Sequence, residues 1–273
     1  MRRTLLHPRA GRALRALRWT RIGLHALSAL AILRFVFPRV SPGRRRALVG
    51  WWAAKLLRIV GISARVEGEP PAALEVGAMI AANHVSWLDI FALQSVRPTR
   101  FVAKSEVRDW PIAGWIAERS GTLFIRREVK RDVGRINEIV QRALEGGDCV
   151  GIFPEGTTTE GDELARFHTS LFAPACANAA HVHPCAVRYE HADGTLCRAV
   201  AYVGDISFMQ SLGLAIRQRG VTVQVRFGVP IEAALRPRRE LAAACRASIA
   251  SLLGLESPGT APRTGGGREA APP

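Results

Sequence analysis

At 273 residues, 48% of them hydrophobic, the chain is long enough to bury one substantial core, and nothing in it forces a second large domain. Its net charge of +15 is local: residues 1–66 carry fifteen of the 38 Lys and Arg with no Asp or Glu, while the other 23 basic residues equal the 23 acidic ones. Five scattered cysteines, Cys149, Cys176, Cys185, Cys197 and Cys245, form no Cys-x-x-Cys pair, which excludes a disulfide-stapled domain and points to free thiols in a reducing compartment.

The spacing of Arg12, Arg15 and Arg18 among Ala and Leu predicts a basic amphipathic helix over residues 1–19. Residues 22–38 follow, apolar except for His25, Ser28 and Arg34, and shorter than the roughly 20 apolar residues that a spanning helix needs. A break at Pro38-Arg39-Val40-Ser41-Pro42-Gly43 precedes Arg44-Arg45-Arg46 and a second apolar stretch, Ala47 to Leu57. That stretch carries Trp51-Trp52, a pair suited to the level of lipid headgroups. Two basic-flanked apolar helices over residues 1–60 fit one leaflet of an anionic membrane, with the arginines, those of residues 1–21 included, against lipid phosphates. A transmembrane hairpin is the nearest alternative. Nucleic acid fits poorly because the same stretch is apolar, and Arg34 with no small-residue cleavage pattern argues against a signal peptide.

From Ser63 the pattern alternates. Strands are predicted over residues 63–67, 76–82, 100–103, 122–125, 149–153, 186–190, 199–203 and 221–229, and helices over 89–95, 111–120, 132–145, 207–217 and 241–253. The expected fold class is α/β, a largely parallel central sheet flanked by helices and preceded by the membrane-associating helix pair. Residues 61–253 would form that domain, and 254–273, rich in Gly, Pro, Ala and Thr, a disordered tail. His181 and His183 stand two apart on what looks like a strand, with no second ligand pair at a zinc spacing.

The chemistry concentrates in Asn83-His84-Val85-Ser86-Trp87-Leu88-Asp89. On one continuous helix, a histidine five residues before an aspartate would point about 140° away from it, at roughly 100° per residue. A strand-to-helix turn at His84 removes the obstacle. The Asp89 carboxylate can then fold back on one ring nitrogen and leave the other to take a proton from a substrate hydroxyl. For an isolated pair, a helix cap beside a satisfied polar histidine is the ordinary reading.

The pair is not isolated, because Gly121-Thr122-Leu123-Phe124-Ile125-Arg126-Arg127, Phe153-Pro154-Glu155-Gly156-Thr157-Thr158 and Val182-His183-Pro184-Cys185-Ala186-Val187 follow in that order. Together the four blocks resemble the glycerolipid acyltransferase family, specifically bacterial 1-acylglycerol-3-phosphate acyltransferases. His84 and Asp89 match the family's His, four residues, Asp signature, and Arg127 closes its Gly-x-x-Phe-Ile-x-Arg block. The resemblance implies acyl transfer from acyl-CoA or acyl carrier protein to the free sn-2 hydroxyl of lysophosphatidate, giving phosphatidate. It implies no metal and no cofactor beyond that co-substrate. His84 would be the base and Asp89 its orienter, with no acyl-enzyme. Substrate contacts would come from Asn83, Gly121, Arg127, Glu155, Gly156, Thr157 and Pro184. Among them Arg127 offers phosphate a bidentate fork, while its neighbour Arg126 points to the opposite face. Gly156 lets backbone N–H groups approach an anion, Glu155 bonds a hydroxyl or braces the loop, and Pro184 shapes the wall beside the acyl chain or starts a strand. Partners would be a lysophospholipid, anionic lipids and the thioester donor, at the cytoplasmic face of the inner membrane, without nucleic acid.

Two departures concern the headgroup. Thr158-Thr159 stands where many members have Arg then Ser, and Phe167-His168 where they often have Phe-Lys. The first removes a cation from a phosphate clamp and keeps open another acceptor, such as a lyso-ornithine lipid. Two readings from other classes remain: a lipid-binding or transfer module without catalysis, and a hydrolase using Ser86, which lacks a Gly-x-Ser-x-Gly elbow.

Overall fold

The structure, a computed structural model, describes residues 7–72, 75, 77–104, 113–119, 121–125, 130–234 and 236–255. Eight helices, α1 (Arg12–Ala31), α2 (Pro42–Val60), α3 (Leu88–Val96), α4 (Ala113–Arg119), α5 (Lys130–Glu145), α6 (Ala173–Ala177), α7 (Phe208–Ala215) and α8 (Arg238–Leu253), accompany eight strands. The strands are β1 (Ile62–Glu67), β2 (Met79–Ala82), β3 (Arg100–Lys104), β4 (Leu123–Ile125), β5 (Val150–Ile152), β6 (His181–Glu190), β7 (Val221–Phe227) and β8 (Ile231–Glu232). They form one sheet in the order β1-β7-β6-β2-β5-β3-β4, with β8 paired to β6 beyond the end of β7.

The five strands from β6 to β4 run parallel, as helical crossovers require, while β7 meets β6 antiparallel and carries β1 with it. Two apolar clusters cover the faces. One packs Ile80, Cys185, Val187 and Tyr189 against α2, α3 and α7; the other packs Met79, Ala81, Val182 and Ala186 against α5 and α8. The parity along β2 and β6 divides the residues as the pleat demands.

Two differences from the expected elements have physical causes. Residues 199–203 are not a strand: a 3-10 turn over Arg198–Val200 buries Val200, and Tyr202 N–H bonds Val85 O rather than a strand partner. An apolar alternation was satisfied there by a packed loop. β6 starts at His181 and runs through Pro184, which is tolerated because its neighbour is interrupted between Phe227 and Ile231, beside it. The predicted disordered tail lies, from residue 256, outside the described residues.

The N-terminal pair departs further. No helix break separates Trp19 from Ile22, and α1 continues through a π turn (Ile32–Val36) and a 3-10 turn (Phe37–Arg39). The 28-residue run Arg12–Arg39 is long and apolar enough to cross a membrane by length and composition. Ser41 caps α2 and Pro42 occupies its first turn, so the break expected near Pro38 is where the chain reverses.

Arg18, expected to meet lipid, is buried instead. It donates to the carbonyls of Ile216 and Gln218, both at 2.7 Å, at the C-terminal end of α7, where a cation suits the helix dipole. A Cβ on Gly61, at φ 96°, would fall 1.9 Å from that guanidinium, so only glycine fits there. His25 stacks on Trp52 at 4.2 Å and joins α1 to α2. Leu56, Leu57 and Val60 of α2 belong to the core that also holds α3 and β6, so one core runs across the expected domain boundary at residue 60.

Candidate active site

β2 and β5 are parallel neighbours, so the loops after Ala82 and Ile152 leave the sheet at the same edge. The first carries His84, the second Phe153 to Glu155. His84 Nδ1 lies 2.8 Å from Asp89 Oδ2, which also accepts the N–H groups of Val85 at 2.7 Å and Ser86 at 2.9 Å. Asp89 sits in the first turn of α3 and folds back on the loop that holds His84; the N-cap of that helix is Trp87, without a side-chain cap bond, so the carboxylate serves the loop rather than the helix end. An oxygen gathering two amide protons takes a third from the ring, so Nδ1 carries a proton and, in the neutral ring, Nε2 has the lone pair.

Asp89 is fully buried, and its other oxygen, Oδ1, accepts the hydroxyl of Tyr189 at 2.8 Å. The imidazole is 20% exposed and stacks on Phe153, centroids 3.9 Å apart, which in turn stacks on Phe101. One ring edge is thus held by Asp89 and one face by Phe153. Such a ring can accept a proton at Nε2 from an alcohol entering through its exposed side.

Glu155 supports the loop rather than opening to the cleft. Its Oε1 accepts the His84 N–H at 2.8 Å, its Oε2 the Ala165 N–H at 2.7 Å, and it is buried. Burial pushes its carboxyl above the usual range despite the two amide bonds that pull it down. Gly156 at φ 71° closes the turn with its N–H on Phe153 O. Thr159 N–H donates to His84 O at 2.8 Å, and the Thr158 hydroxyl donates to Tyr202 O. Beside this loop opens a cleft of about 710 Å³ lined by Thr157, Thr158, Thr159, Glu160, Asp162, Glu163, Ala165 and Val203.

Of the residues expected to touch substrate, Thr157 lines the cleft and Glu155 and Gly156 form the turn behind it. Three others have structural positions. Asn83 is fully buried, with both amide atoms on the Val187 backbone, tying the His84 loop to β6. Gly121 precedes β4, at the opposite end of the parallel strands from His84, and its carbonyl accepts Arg100 Nε. Pro184 is buried within β6 and does not line the cleft; its carbonyl accepts Gly228 N–H. Arg126 and Arg127 lie outside the described residues.

Ser86 is buried, and among the described residues its hydroxyl has no hydrogen-bond partner, His84 included, so the pair needed for a serine nucleophile is not assembled. His183 is held by Glu75 at 2.8 Å, and among the described residues no group of three or more His, Cys, Asp or Glu is placed to hold a metal. Sequence reasoning missed Tyr189 and the stack on Phe153. A signal existed for the first: a tyrosine on the inward face of a buried strand must find a partner for its hydroxyl.

A largely parallel α/β sheet with a carboxylate-held histidine at its strand ends is the arrangement of a general base, and comparison with known proteins narrows the class of reaction. The family model described as Acyltransferase matches residues 63–188. The chain belongs to the glycerolipid acyltransferase family. It is 38% identical over 250 residues to a lyso-ornithine lipid O-acyltransferase of Pseudomonas aeruginosa, covering 90% of this chain and 94% of that one. A 1-acyl-sn-glycerol-3-phosphate acyltransferase of Neisseria gonorrhoeae is 36% identical over 167 residues, 61% of this chain and 65% of its own length. The crystal structure of the 1-acyl-sn-glycerophosphate (LPA) acyltransferase PlsC from Thermotoga maritima shares the fold, with a TM-score of 0.69 at 16% identity over 89% of this chain and 94% of that one. The protein is therefore an acyltransferase.

Proposed function

We propose that this acyltransferase esterifies the free hydroxyl of a lyso-ornithine lipid, with acyl-CoA or acyl carrier protein as donor. The observation that carries the choice is the lining of the cleft. Glu160, Asp162 and Glu163 stand there with Thr158, and none of the lining residues among those described is a cation. A phosphate dianion would meet three carboxylates there, of which Glu160 and Asp162 pair with Arg198. An ornithine headgroup brings an ammonium to the same place and carries its own carboxylate. The near full-length match to the Pseudomonas relative supports the reading.

In this mechanism His84 Nε2 takes the hydroxyl proton as the alcohol oxygen attacks the thioester carbonyl. Asp89 stabilises the imidazolium, and collapse of the tetrahedral intermediate expels the thiolate, which recovers the proton. The alcohol is itself the nucleophile, so no acyl-enzyme forms. Glu155 fixes the backbone of His84, and Arg127 is the candidate fork for the acceptor's anionic group.

The lipid arrives from a bilayer surface. Leu17, Leu24, Leu27 and Phe35 form an exposed apolar stripe on α1 and the turn after it, at one-face helical spacing, flanked by Arg34, Arg39 and Arg44 to Arg46. Anionic lipid on the cytoplasmic side of the inner membrane, where acyl-CoA and acyl carrier protein are found, fits that surface. A second reading, lysophosphatidate as acceptor, is favoured by the Neisseria relative. Purified protein given one thioester and both lysolipids distinguishes them. A kcat/KM for the lyso-ornithine lipid at least about tenfold higher is expected, a margin of about 1.4 kcal/mol; the reverse preference overturns the choice.

A further inference from the structure

We infer that Tyr189 is a positioning residue of the acyl transfer, acting on the His84 ring through the far oxygen of Asp89. The inference rests on the reading of His84 as the base.

The geometry divides the carboxylate into two halves. Oδ2 gathers His84 Nδ1, Val85 N–H and Ser86 N–H within 2.9 Å, whereas Oδ1 has one partner, the Tyr189 hydroxyl at 2.8 Å. Tyr189 is fully buried on the inward face of β6, with Cys185 and Val187 of the same face below it. Asp89 is fully buried, and among the described residues the phenol is the hydrogen-bond partner of Oδ1, so it sets the orientation of that end of the carboxylate. Burial and the Asp89 charge push the phenol well above its usual range, so it stays a proton donor at every working pH.

A phenol dipole with its positive end on Asp89 withdraws negative charge from the side facing the ring. That weakens the hold of Oδ2 on the ring proton, while Nε2 remains the atom that accepts the substrate proton. The same bond stops the carboxylate from rotating, which keeps Oδ2 on its three donors. The other titratable groups that bear on the pair, among the described residues, are Glu155 from the loop after β5 and Cys185 from β6. Burial holds the Cys185 thiol neutral. Glu155 can titrate on the acid side, so the experiment must observe the ring as well as the rate.

The test compares the parent with Tyr189→Phe in detergent micelles. It measures kcat/KM against pH and follows the His84 ring nitrogens by NMR, identified through His84→Gln. The acid limb and the ring titration are both expected to move to higher pH by about half to one unit, with kcat falling and KM unchanged. A second arm keeps the hydroxyl. The sequence holds only two tyrosines, so difluorotyrosine incorporated in a Tyr202→Phe background labels Tyr189 alone with a stronger donor. Both readouts should then move to lower pH. Opposite movements in the two arms support the inference. A Tyr189→Phe protein that is merely less stable, or uniformly slower with an unmoved profile, overturns it, and so does a ring that ignores fluorination. Failure of the underlying reading is distinct: His84→Gln would then retain turnover.

Discussion

In the loop after β2, Asp89 spends one oxygen on three donors and the other on a fourth, whereas along α1 Leu24 and Leu27 stand 62% and 59% exposed. The hydrogen bonds that orient the proposed base come from within the fold, so the ring needs no ligand to hold it. The helix pair is finished only on its inner side, where Arg18, His25, Ala29 and Leu33 are buried. Its outer side is an apolar stripe that the described residues do not cover. If the first region is the proposed reaction site and the second the proposed lipid-facing surface, the two should fail independently.

Replacing the base tests that independence most severely. His84→Ala should lower kcat by about 10³-fold, within the range for loss of a general base, while binding to anionic vesicles stays at the parental level. Sedimentation with vesicles and a thioester turnover assay on one preparation read both properties. Turnover near the parental rate would remove His84 from the mechanism, and loss of vesicle binding would show that the two regions are not separable.

The converse change comes next in size. Leu24→Ser with Leu27→Ser removes two side chains from the outer stripe and should weaken vesicle partitioning by about 100-fold, or about 3 kcal/mol for two partly exposed leucines. Turnover of a substrate dispersed in detergent should hardly change. Deleting residues 1–60 is the wrong experiment here, since Leu56, Leu57 and Val60 belong to the central core and Arg18 caps α7. These inner attachments also bear on whether α1 crosses the bilayer: a helix pinned to α7 at Arg18 and to Trp52 at His25 lies against the domain. Unchanged partitioning of the double variant would put the membrane contact elsewhere.

The contrast also explains what could be read from the amino-acid order. Local rules reach furthest where the chain contacts itself nearby: the turn at His84 that lets Asp89 fold back and the strand leading to Glu155 were legible from the local pattern, while the helix cap that the same pattern offered is not formed. They fail where a residue's partner is distant in sequence. Tyr189 lies 100 residues from Asp89, and Asn83 lies 104 from Val187, so neither bond leaves a periodic trace. Arg18 misleads for the same reason. An arginine spaced for a basic stripe was claimed by carbonyls 198 and 200 residues away. Composition predicted charge facing lipid, and tertiary structure withdrew one charge from that face.

The smallest expected effect probes how the rigid corner is held. Glu155 keeps a raised carboxyl value because burial outweighs the two amide bonds it accepts, so the folded protein binds that proton more tightly than the unfolded chain does. For a group raised in this way, the stabilising contribution is fully present below the unfolded value and is lost as pH rises through the folded one. Glu155→Gln cannot titrate and lacks this dependence. The stability of the parent relative to Glu155→Gln should therefore fall from about pH 4 toward about pH 7, read as the gap between urea midpoints at the two pH values. Parallel midpoints would mean that the carboxyl titrates alike in both states, and the burial of Glu155 would then not be what rigidifies the backbone behind His84. A gap that closes with rising pH would show the corner holding an ionised carboxylate against its own burial, in order to fix the N–H of the base.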